Sequence, residues 1–415
     1  MFFPDDNRWV AGPYVIDLKA ETLQRNGVNI PITSDQFSSL GQMLVNPWDD
    51  ESPRMMERMF WDADVEGFAA KFSARAMERG WQPVRLKARA TWERAQVNAH
   101  TGIAMIECSE YENTRLAERP DRGALQRAIK HAREALGAAP DFGEAHAWLG
   151  FALDRSGQRR EGLTAVRRAV EVNPHNLIVL LLACEVTWGE ERLTLARRLI
   201  ERCPSYGMGQ LMAATVLVAR SELAEAERLI DEARAIMPRA KDTFMVKPRG
   251  VHMMKAALAL IRSDQVACSA AVEAEINPLD DTSIYDRELR ANAYCAFARF
   301  QVGHDSLGAH TMFTEALKLA PRHDWARSGV EIMDSRVPPC ALPADTVDGA
   351  VARARVIASR GGDIPPAVAL VSAALAAAPP GPDGWMIPID PFLRVREHRE
   401  AWAPVLDRVR TRAEG

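Results

Sequence analysis

The chain has 415 residues, 47% hydrophobic and 26% charged, which fits a folded protein with a small domain beside a large or repetitive one and argues against intrinsic disorder. A net charge of -4 and a pI near 6.2 exclude a global pull toward nucleic acid or anionic membrane, so any such affinity must be local. MFFPDDNRWVAG lacks the basic and apolar regions of a secretory signal, and the apolar run LIVLLLACEV (residues 177–186) is about half a bilayer span; a cytoplasmic protein without membrane contact is expected.

In chain order, TLQRNGVNIPI carries Asn26-Gly27 between two strand-like runs, the strongest short hairpin signal, because both turn positions need positive φ. Thr33 to Gln36 then fits a capping box, and a first helix follows with Phe37, Leu40 and Leu44 on one side. Ser52-Pro53 starts a second helix with Met55, Met56, Met59 and Phe60 buried, a methionine face that suits core packing better than a cofactor. A third follows Asp64, with Phe68, Phe72 and Ala76 on one stripe and Lys71, Arg75 and Arg79 on another. In VRLKARATW (84–92), Val84, Leu86 and Ala88 alternate with Arg85, Lys87 and Arg89, the two-faced pattern of a strand.

This order resembles the OmpR/ToxR-type winged-helix DNA-binding domain, to which PYVIDLKAETLQRNGVNIPITSDQFSSLGQML and MFWDAD are also similar. The resemblance implies double-stranded DNA as a partner, with Lys71, Arg75 and Arg79 on the recognition helix and Arg85, Lys87 and Arg89 on the wing. Charge agrees: residues 1–66 carry 5 basic and 12 acidic side chains, residues 67–100 carry 7 and 2. Phosphate contacts of this kind give affinity and register rather than sequence reading. ARATWE lacks the glycines with which the family closes its wing, which leaves that last stretch open to irregular or helical backbone.

Beyond residue 100, prolines recur at 140, 174, 204, 238, 278, 321 and 379, spaced by 34, 30, 34, 40, 43 and 58 residues. Positions 12, 8 and 5 before Pro321 are Ala309, Phe313 and Ala316. The same count gives Ala226, Ile230 and Ala233; Gly162, Val166 and Ala169; and Ala367, Val371 and Ala374. Leu149, Gly150 and Leu153 add a first-helix signature. These positions resemble the tetratricopeptide repeat, with the longer intervals read as lengthened loops. Before Pro204 the pattern breaks, with Arg192 where a small residue is expected. Ala147 and Phe151 stand where a carboxylate clamp would place Lys and Asn.

After Pro379, Ile389-Asp390-Pro391 leads to Leu393, Trp402, Val405, Leu406 and Val409, a charged-outside cap for the last repeat. The six cysteines (Cys108, Cys184, Cys203, Cys268, Cys295, Cys340) form no C-x-x-C pair and read as reduced, mostly buried thiols. No phosphate loop, H-E-x-x-H or G-x-S-x-G occurs, and His304, His310, His323 and His398 read as structural or surface residues. Neither catalysis, nor a cofactor, nor a metal is expected.

The resulting expectation is a mainly α chain: an α+β winged-helix domain at 1–95, an all-α tetratricopeptide superhelix at 96–378 and a capping segment at 379–415. The domain order resembles HilA-like bacterial transcription regulators and implies a DNA-binding regulator whose concave repeat surface, around residues 140–330, holds a protein or peptide partner. A homodimer is compatible with it. The competing expectation is a repeat adaptor whose winged domain contacts protein instead of DNA.

Overall fold

The computed structural model describes residues 2–5, 8–11, 14–17, 20, 22–30, 89–117, 119–240, 250–276, 284–302, 305–334, 346–360 and 364–414. Five short strands open the chain, β1 (Phe2–Asp5), β2 (Arg8–Ala11), β3 (Tyr14–Asp17), β4 (Thr22–Arg25) and β5 (Val28–Ile30), paired in sequence order as an antiparallel meander. The β4–β5 hairpin turns where expected, at Asn26 and Gly27 with φ of 53° and 79°. Both φ are positive, as a two-residue hairpin turn matched to strand twist requires. The facing pair Gln24 and Asn29 share a side-chain hydrogen bond of 2.9 Å, Nε2 donating to Oδ1.

The helices expected from Thr33, Ser52 and Asp64 lie outside the described residues, as do Val84 to Ala88. The described end of the expected wing is not a strand: Arg89 is the first residue of a 26-residue helix, α1 (Arg89–Thr114). Without glycine to turn a hairpin, RATWERAQ follows its alanine, arginine and glutamate content into helix. The domain boundary expected at residue 95 therefore falls inside a helix.

The remaining helices are α2 (Arg122–Ala138), α3 (Gly143–Arg155), α4 (Arg159–Val172), α5 (Leu177–Val186), α6 (Gly189–Arg202), α7 (Met208–Ala219), α8 (Leu223–Ala240), α9 (Val251–Ile261) and α10 (Gln265–Ile276). After them come α11 (Ile284–Gln301), α12 (Ser306–Leu319), α13 (Asp324–Met333), α14 (Val347–Arg360), α15 (Ile364–Ala377) and α16 (Arg399–Glu414). Two compact units result. One holds the sheet, α1 as far as Tyr111, and α2–α5; the other holds α6, α7, α8 as far as Pro238, α9–α16 and the Glu112–Pro120 stretch. No helix among the described residues is long and apolar enough to cross a membrane.

Helices pack as successive pairs, α3 with α4, α6 with α7, α9 with α10, α11 with α12 and α14 with α15. Pro140, Pro174, Pro204, Pro321 and Pro379 each follow a helix end, at α2, α4, α6, α12 and α15, while α8 continues through Pro238 into its last turn. The longest interval is not a lengthened loop, since α13, α14 and α15 all lie between Pro321 and Pro379. Every residue counted back from Pro174, Pro238, Pro321 and Pro379 is buried, with Ala309, Phe313, Ala316, Val166, Ala226, Ile230 and Val371 fully so.

Small residues there admit backbone. A Cβ on Gly150 would stand 2.5 Å from Val166 Cγ1 and 2.8 Å from the Gly162 carbonyl oxygen. Polar links recur at 30 to 32 residues: Glu144–Asn176, Arg155–Glu185, Glu190–Arg220 and Asp324–Arg355 are 32, 30, 30 and 31 residues apart. At the irregular unit, Arg192 is buried, donating from Nε to the Thr187 carbonyl (2.9 Å) and from Nη1 to Thr215 Oγ1 (3.1 Å), its guanidinium over Trp188.

Candidate functional site

Of the six cations assigned to a DNA face, Lys71, Arg75, Arg79, Arg85 and Lys87 lie outside the described residues. Arg89, at the start of α1, is not on a hairpin.

The second unit closes on itself. After α15 the chain runs through a 3-10 turn (Ile387–Ile389) and a string of turns, with Arg394 at φ 55°, into α16. Trp402, Val405, Val409 and Ala413 of α16 are buried. The helix packs on α15, as a cap should, and also on α6 and α7. Arg220, just past α7, fixes this return by donating from Nε and Nη2 to the Ala413 carbonyl at 3.0 and 2.8 Å, while Nη2 also meets Glu190 Oε2 at 3.0 Å. A guanidinium on a carbonyl near a helix C-terminus faces the negative end of the helix dipole.

Where the cap meets the repeat turns it leaves an open cleft of about 630 Å³. That volume lies within the range of small-molecule and side-chain pockets. Leu223, Ile261, Pro388, Val395 and Leu406 give it an apolar lining, and Arg262, Arg396 and Arg399 with Glu222 and Glu225 surround them. Arg396 Nη1 donates to the Ile261 carbonyl at 2.6 Å, pinning the cap to the end of α9, and Arg262 pairs with Glu227. Glu225 is engaged by Arg228 at 2.6 Å. The arrangement can hold an apolar side chain and present cationic groups to its flanks; it contains no aligned nucleophile and base.

The cap is anchored by an ion triad in which Arg355 and Asp390 are buried and Asp324 is partly exposed. Arg355 donates from Nε to Asp390 Oδ2 and from Nη1 to Asp324 Oδ2, both at 2.7 Å, with its guanidinium 5.4 Å from the Trp325 ring centre. Asp390, seen in the sequence only as part of a capping motif, is thereby a structural partner.

His323, expected at the surface, is buried. Its Nδ1 accepts from the Ala326 amide at 3.2 Å, making it the N-cap of α13, and Nε2 meets Asn292 Oδ1 at 2.9 Å, which assigns the proton to Nε2. Burial lowers its pKa, the neighbouring Asp324 pulling the other way. His304 lies outside the described residues. Cys108, Cys184, Cys203, Cys268 and Cys295 are buried, as expected; Cys340 lies outside the described residues. One cluster of metal-ligating groups stands among the described residues, His100 of α1 with His131 and Glu134 of α2. Its sequence signal was only His131 and Glu134 one helical turn apart, because His100 comes from a different helix.

No family model matches the chain, and no curated protein matches it. Solved structures align with it weakly. A tetratricopeptide repeat protein from Parabacteroides merdae is 14% identical over 68% of this chain and 99% of its own, with a TM-score of 0.42. Yeast Tom70 is 11% identical over 90% of this chain and 80% of its own, at 0.40. A human IFIT1 dimer with PPP-AAAA is 16% identical over 91% and 92%, at 0.40. Scores at this level carry no inference about ligand, partner or ancestry; the repeat character rests on the helix pairs themselves.

Proposed function

We propose that this protein is a non-catalytic helix-repeat adaptor that holds a polypeptide segment in the cleft beside its C-terminal cap. The supporting observation is the cleft itself: an apolar lining formed by two turns between helices and the cap, with Arg262, Arg396 and Arg399 at its edge. Apolar anchoring supplies affinity, and the edge charges supply orientation and rate. The favoured occupant is a short segment with one or two large apolar residues flanked by Asp or Glu.

Selection from a random peptide display library on the full chain tests this. The expected outcome is enrichment of apolar residues with acidic flanks, abolished by Leu223→Asp and made less salt-sensitive by Arg399→Glu. Recovery of the same peptides on Leu223→Asp removes the cleft as the site.

The transcription-regulator reading draws on the winged-helix resemblance and on the cations of residues 67–100, and so on sequence alone. Duplex DNA binding by the full chain is its own test. If Arg85, Lys87 and Arg89 neutralise phosphates, replacing all three with Ala flattens the slope of log affinity against log salt by roughly 2 to 3.

A further inference from the structure

Three ligand atoms from α1 and α2 converge in the first unit. His100 Nδ1 stands 2.9 Å from His131 Nδ1 and 3.1 Å from Glu134 Oε2, and His131 Nδ1 stands 3.0 Å from the same oxygen. The imidazoles stack with centres 5.2 Å apart and planes 23° apart, so the two nitrogens are presented side by side.

A proton between two of these atoms satisfies one edge of the triangle at a time. A central cation bonded to all three satisfies every edge at once. Burial, as the leading cause, lowers the pKa of both histidines, that of His131 to about 4. A neutral imidazole, the form that binds metal, offers one ring lone pair to a cation.

The edge lengths select a geometry. Ligands about 2.1 Å from an ion lie about 3.0 Å apart across a right angle and about 3.4 Å apart across a tetrahedral one. Edges of 2.9, 3.0 and 3.1 Å fit the right angle.

We propose that His100, His131 and Glu134 bind a six-coordinate divalent first-row transition ion through one face of its octahedron, leaving the opposite face to water. Two imidazoles and a carboxylate suit such borderline ions and are a poor match to Ca²⁺ or Mg²⁺, which take oxygen cages. The approach is from solvent past Glu134, whose side chain is 38% exposed, whereas His131 at 5% anchors the site from inside. Among the described side chains, two nearby charges are relevant. Lys130 Nζ lies 3.8 Å from Glu134 Oε1, the oxygen left outside the triangle, and opposes the ion weakly. The Glu107 carboxylate acts on His131 in the opposite sense. This inference is independent of the adaptor reading, since it lies in the other unit and involves no peptide.

The test uses the untagged full chain, stripped with chelator and titrated with Ni²⁺ by calorimetry and with Co²⁺ by absorption spectroscopy. One saturable site per chain is expected, with the weak visible bands of six-coordinate Co²⁺ and a Tm that rises with added Ni²⁺. Glu134→Gln and His100→Gln should each raise the Ni²⁺ Kd at least about tenfold, since metal sites respond that strongly even to changes outside the ligand set. Glu134→Gln replaces a surface-accessible group with its isostere, and circular dichroism verifies that it folds. Absence of saturable binding, equal affinity in wild type and both variants, or intense tetrahedral Co²⁺ bands would each overturn the proposal.

Discussion

Glu144, in the first turn of α3, is 1% exposed; its Oε1 accepts 2.6 Å from Asn176 Nδ2, and Oε2 is buried without a hydrogen-bond partner. Burial pushes its pKa up to about 8, against which the Asn176 bond is too weak. Because the folded state keeps this proton where the unfolded chain has lost it, stability falls as pH rises from about 4.5 to about 8, by at most about 1.4 kcal/mol per pH unit. Urea midpoints across that window should show a shallower decline in Glu144→Gln than in wild type; parallel profiles would mean the carboxyl is ionised in the fold. Arg355 poses the opposite case, a buried cation with two carboxylates. Asp390→Ala leaves it half-paired and should cost about 3 to 5 kcal/mol in denaturant unfolding, with Asp390→Asn costing less because one hydrogen bond survives. Asp390 was visible in the sequence as a motif residue, but its partner 35 residues earlier was not. An ion pair across helices leaves no mark in local spacing.

At the scale of elements, helix pairing depends on where side chains are missing. At Gly162 an added Cβ would approach the Gly150 carbonyl oxygen to 2.8 Å, so Gly162→Ala must move backbone and should destabilise by about 1 to 3 kcal/mol. Gly137, late in α2, has nothing within 4 Å of that position. Gly137→Ala should stabilise by about 0.5 to 1 kcal/mol, through helix propensity alone. Thermal melts of the two variants moving in the same direction would break the assignment. The α3–α4 approach was legible because Gly150 and Gly162 sit at fixed positions in a helix pair, and the β4–β5 turn because Asn-Gly favours positive φ wherever it occurs. Of the strand expected at 84–89 only Arg89 lies among the described residues, and it begins a helix. At Arg89 a short period of two gives way to the helix formers immediately downstream.

For the molecule as a whole, the consequential feature is the return of α16 onto α6 and α7, held by Arg220 on the Ala413 carbonyl 193 residues away. Arg220→Ala should free that end of the helix. Amide exchange across 399–414 is then expected to quicken by an amount equivalent to about 1.5 to 3 kcal/mol, while α11 and α12 stay protected. Uniform loss of protection would instead mean that the cap and repeats unfold together. The sequence by itself determined a mainly helical chain with a period near 34 residues, its buried small residues, the Asn-Gly hairpin and a terminal cap. Each helix, the hairpin and the small buried positions follow from backbone hydrogen bonding and side-chain size over short stretches, and the period is their recurrence along the chain. Only the tertiary structure decided which distant residues meet: His100 with His131 and Glu134, Arg355 with Asp390, and the cap with α6, α7 and the cleft. Those meetings depend on helix crossing angles and connection lengths accumulated over many pairs, and neither quantity is encoded in the spacing of any single helix.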